Sequence, residues 1–61
     1  MKKIGLSILP AEIQRTIKAD LSKYKFVSHE WAWYFWSTNN KAKAIRFAKN
    51  NSDYYLVDME A

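Results

Sequence analysis

Residues 31–36 read WAWYFW, five aromatic side chains in six positions of a 61-residue chain. Each such side chain buries about 150–250 Å² when it packs. A chain this short buries only about 60% of the surface its unfolded form exposes, so its stability is marginal. Small domains usually add a disulfide, a metal or a partner. This chain has no cysteine and one histidine, so neither a disulfide framework nor a thiolate metal site is available to it. The aromatic run must therefore stand in for those staples. A core of this size has room for about half of it, and the remainder must face something else.

Aromatic and β-branched residues suit a pleated, half-buried surface, so residues 31–37 are predicted to be a strand. Alternation along a strand divides the run into two sets. Trp31, Trp33 and Phe35 form the more apolar set and are predicted to be core. Ala32, Tyr34 and Trp36 form the other, which carries polar handles and tolerates a partly wet surface.

The rest of the chain supplies the partners. Ile4, Leu6 and Ile8 alternate with Lys3, Gly5 and Ser7, which predicts a strand over 3–9. Pro10 suits the first turn of a helix. Ile13, Ile17 and Leu21 follow at spacing four, with Tyr24 three further on, predicting an amphipathic helix over 11–23. Residues 24–28 are either a short strand, joined to the next by a three-residue turn, or a loop. Asn39 or Asn40 is the expected N-cap of a second helix that ends at Asn50 and Asn51. Its small Ala44 and Ala48 share one line, flanked by Ile45 and Phe47. Lys43, Arg46 and Lys49 occupy the opposite side. Residues 53–59 alternate again and predict a last strand.

The order predicts a single domain over 1–61 of the α+β class. The expected architecture is a small two-layer sandwich, with two helices on one face of a three- or four-stranded sheet. With residues 24–28 as a strand the order is βαββαβ, the split βαβ of ferredoxin-like domains; without them it is βαβαβ. The opening KKIGLSILPAEIQRTIKADL also resembles the strand-then-helix start of ribbon-helix-helix DNA-binding proteins, over about a third of the chain. That fold needs a second helix soon afterwards, whereas the segment that follows here is aromatic and strand-like.

The formal net charge is +4, with a sequence pI near 9.5. This favours encounter with polyanions or acidic protein surfaces. Two lysines and a short apolar run open the chain, but Glu12 and Arg15 interrupt it before a signal-peptide core could form. No window approaches the ~18 apolar residues of a membrane span. The expected location is the cytoplasm, with no membrane partner.

No phosphate-cradling loop can be built around the single glycine, Gly5. His29 and Glu30 are the only adjacent acid–base pair, and neighbours in an extended segment point apart. Asp20, Asp53 and Asp58 are scattered. No catalytic residue, metal or cofactor is therefore expected.

The expected function is that of a small non-catalytic binding protein that modulates or inhibits a larger protein. This profile resembles that of inhibitors and antitoxins of phage or mobile elements. The expected partner-binding residues are Tyr34, Trp36 and Tyr55, because Trp and Tyr dominate binding hot spots. The alternative is a nucleic-acid-binding module using sheet aromatics and Lys43, Arg46 and Lys49. A second alternative is a small RNase-type toxin relying on His29. A homodimer could cover the sheet. Were both sheet faces covered, the functional surface would lie on the basic second helix.

Overall fold

In a computed structural model that describes all 61 residues, four strands form one mixed sheet flanked by two helices, a small α+β fold. The strands are β1 (Lys2–Gly5), β2 (Tyr24–His29), β3 (Trp33–Thr38) and β4 (Tyr55–Asp58). The helices are α1 (Ala11–Ala19) and α2 (Lys41–Asn50). The element order is βαββαβ, so residues 24–28 are a strand. Glu30–Ala32 form the three-residue turn that joins it to β3.

The sheet order is β1-β4-β2-β3. β1 runs parallel to β4, whereas β2 is antiparallel to both β4 and β3. β3 and β4 therefore run the same way with β2 inserted between them, and α2 is the crossover of this split unit. The segment 24–28, uncertain from sequence, thus lies in a central strand. Its Lys25, Phe26, Val27 and Ser28 are all buried, which for four successive strand residues requires cover on both faces.

The cover comes from the two helices, one on each face, and this corrects the expectation that both share one. Val27 packs in a core cluster with Ile17 of α1, Leu6, Leu9 and Val57, joined by the half-buried Ile13, Trp33, Phe35 and Tyr55. Phe26, the next residue, points the other way and meets Phe47 of α2, ring centroids 4.9 Å apart. Trp36, opposite Phe26 in the β2–β3 register, stacks on Phe47 at 4.0 Å with planes 6° apart. Periodicity had identified the apolar stripe of each helix without saying which side of the sheet each stripe would meet.

The last strand is trimmed from the expected 53–59 to Tyr55–Asp58, and three other boundaries differ. The first strand stops at Gly5 rather than residue 9, because the chain turns over in a short 3-10 segment, Leu6–Ile8. This turn inserts Leu6 and Leu9 into the core and leaves Ile8 74% exposed. The first helix ends at Ala19, not 23. Asp20 is extended (φ −81°, ψ 129°) and its carboxylate accepts the Ser22 backbone N–H at 2.8 Å, a local turn that competes with helix. Leu21 consequently leaves the buried stripe and is 93% exposed. The aromatic strand begins at Trp33, so Trp31 sits in the turn, exposed, and not in the core set. Asn40 caps α2 as expected, its side chain accepting the Lys43 N–H at 3.1 Å.

Candidate functional site

The three aromatic residues expected to form a binding face are not brought together. Tyr34 and Trp36 share the α2 face of β3. Tyr55 lies on the opposite, α1 face, beside Val27 in the β2–β4 register and against the core cluster. Trp36 is half-buried beneath Phe47, and only Tyr34 presents about half its surface to solvent. The expected open aromatic platform is therefore occupied by α2. Phe26, Trp36, Phe47 and Tyr54 form one aromatic cluster, with Tyr54 set edge-on to Phe47 at 4.9 Å.

α2 reaches across β2 and β3 but leaves part of that sheet face uncovered towards β1. A cleft of about 220 Å³ opens there, lined by Met1, Tyr24, Phe26, Ala44, Ile45, Ala48 and Leu56, with Lys3 as its one charged residue. Met1 and Ile45 are about half exposed. Beside the cleft, α2 carries Lys41, Ile45 and Lys49 at spacing four, so both lysines flank the apolar lip on one side of the helix.

Lys43, Arg46 and Lys49 follow at spacing three and are all exposed, on the side of α2 away from the buried Ala44. The ten residues of α2 include no acid. This basic face is where the sequence placed it. The cleft was missed because its walls come from β1, β2, β4 and α2, which only the tertiary fold brings together. The one available signal was Ile45, a large aliphatic residue between lysines and off the Ala44–Ala48 line.

At the other end of the sheet, His29 lies against Trp33, ring centroids 4.5 Å apart and nearly parallel. Glu30 instead lines a polar recess of about 280 Å³ with Ser28, Tyr34, Tyr54 and the segment 50–53 that leads out of α2. The two side chains of the acid–base pair thus serve opposite faces. No group of three or more His, Cys, Asp or Glu side chains is gathered as metal ligands would be. No helix is long and apolar enough to cross a membrane.

Asp20 is held below its ordinary protonation range. The Ser22 backbone N–H is the largest cause, with the Ser22 and Ser37 side chains and the Lys25 charge adding to it. Together they outweigh burial and keep the carboxyl below the usual aspartate value. This cluster ties the end of α1 to β2 and β3 and is structural. No protein-family model matches the chain, and no curated protein and no solved structure matches it.

Proposed function

We propose that the chain is a small non-catalytic binding protein that modulates a larger protein, as an inhibitor or antitoxin would, in the cytoplasm. Its docking surface is the cleft between α2 and β1 with the lysines around it, not the aromatic sheet face expected from sequence. The observation that carries this reading is the cleft's composition: seven apolar residues and Lys3, with Lys41 and Lys49 along one lip. An apolar floor with cations at its margin complements an acidic segment bearing large apolar anchors. The separation of His29 from Glu30 supports a binding role over an RNase-type one.

The test is an NMR titration of ¹⁵N-labelled protein with an acidic amphipathic peptide of glutamates and leucines. A charge-matched peptide with alanine for leucine serves as control. Shifts should centre on Lys3, Ala44, Ile45, Ala48 and Leu56, and the control should bind more weakly. Ile45→Glu, at an exposed position, should abolish the shifts without changing the fold. Equal binding of both peptides, or shifts elsewhere, would defeat this reading.

A second reading rests on the outward Lys43, Arg46 and Lys49. Three cations with no acid on the same helix suit a phosphate backbone.

A further inference from the structure

β3 is an edge strand that lacks the devices by which edges are normally protected. It pairs with β2 on one side only. None of the backbone hydrogen bonds made outside the regular elements involves residues 33–38. Every second residue of β3 therefore offers an N–H and a C=O outward with no backbone partner. Natural edges are blunted by lysine, proline, bulges or shortness. The other edge of this sheet, β1, has Lys2, Lys3 and Gly5 in four residues. β3 is six residues long, WYFWST, with no charge, glycine or proline.

We propose that β3 pairs antiparallel with β3 of a second copy of this chain, joining the two sheets into one. A two-fold axis perpendicular to the sheet at this edge is self-complementary and keeps each face matched to its own kind. Under that symmetry the pairing centres on a residue, and centring on Phe35 sets residues 33–37 of the two strands opposite one another, the longest overlap that keeps Tyr34, Phe35 and Trp36 in aromatic pairs. Phe35 then stands opposite Phe35 of the second copy on the α1 face. Tyr34 stands opposite Trp36 of the second copy on the α2 face, and Trp36 opposite its Tyr34. Aromatic cross-strand pairs of this kind stabilise antiparallel ladders. The pairing covers the exposed side of Tyr34, 49% accessible in the single chain. It also buries apolar surface that a chain of this size leaves in water on its own. The cleft lies towards β1, at the far edge, so the dimer leaves both clefts open. This inference is independent of what the cleft binds.

Sedimentation velocity from low to high micromolar concentration, with hydrogen exchange at both ends of that range, tests it. A monomer–dimer equilibrium is expected, with the outward amides of residues 33–38 gaining protection as the dimer fills. Tyr34→Lys places a charge on the edge at an exposed position. It should weaken dimerisation at least about tenfold and leave the circular dichroism of the dilute protein unchanged. A chain monomeric throughout the range overturns the proposal. So does a dimer whose β3 amides stay unprotected, or one that Tyr34→Lys leaves intact. The exchange measurement needs no variant, so it decides the matter even if Tyr34→Lys fails to fold.

Discussion

At the scale of single residues, Asp20 does the most with the least bulk. Its two carboxylate oxygens accept from the Ser22 backbone N–H at 2.8 Å and the Ser37 hydroxyl at 2.9 Å. One side chain thereby stops α1, shapes the turn into β2 and fastens both to β3. These bonds favour the ionised form, which depresses the carboxyl's pKa in the folded chain. The stabilisation this implies is fully present above the unfolded aspartate value of about 3.9. It is lost as the pH falls through the lower folded value. Asp20→Asn should therefore be less stable than the parent at neutral pH, with the gap closing as the solution is acidified below about pH 4. Thermal melts of both proteins from neutral pH to about pH 2 check this, the difference between them cancelling the other carboxylates. A gap that stays constant with pH would mean that the charge of Asp20 contributes nothing and only its shape matters.

At the scale of elements, the aromatic run now has an explanation. A strand covered on one face alternates apolar with polar residues, whereas a strand between two helices needs large apolar residues in both directions. In β3, Trp33 and Phe35 face α1 while Trp36 faces α2, which is why rings fall on successive positions. The same signal stood in the adjacent Phe26 and Val27 of β2, masked there by Lys25 and Ser28. Strand identity, the cap at Asn40 and the basic side of α2 were legible because each depends on neighbours a few residues apart. The assignment of helices to faces was not, since it depends on which way the chain crosses the sheet. Double-mutant cycles test the assignment. Trp36→Leu with Phe47→Leu should show a coupling of about 1 kcal/mol, the scale of an aromatic pair beyond its burial. Trp33→Leu with Phe47→Leu should be additive within about 0.5 kcal/mol, as sites without a shared partner are. Urea denaturation of the single and double variants gives both numbers. Coupling of Trp33 rather than Trp36 to Phe47 would place both helices on one face.

At the scale of the whole molecule, the charge decides between the two classes of partner. A net charge of +4 draws the chain towards any polyanion, so contact with nucleic acid alone proves little. What separates attraction from recognition is the number of phosphates engaged and the affinity left when salt screens them. On α2 the outward cations are Lys43, Arg46 and Lys49, and three phosphate contacts on a single strand give a slope of log K against log salt of about −2. The aromatic residues that would stack on bases are largely taken up by Phe47 and the core, which removes the sequence-tolerant part of single-strand binding. Binding to a single-stranded oligonucleotide should therefore be micromolar or weaker near physiological salt, and indifferent to sequence. The triple variant Lys43→Glu, Arg46→Glu, Lys49→Glu should abolish it while leaving the melting temperature nearly unchanged, because all three side chains are exposed. The double variant Lys43→Ala, Arg46→Ala, which keeps Lys41 and Lys49 on the lip of the cleft, should retain binding to the acidic leucine-bearing peptide more fully than Ile45→Glu does, since the cleft supplies the apolar part of that contact. Fluorescence anisotropy across a salt series measures the binding, and thermal melts measure the stability of the variants. A sub-micromolar, sequence-selective complex that survives physiological salt and disappears in the triple variant would instead make the outer side of α2 the functional surface and nucleic acid the partner.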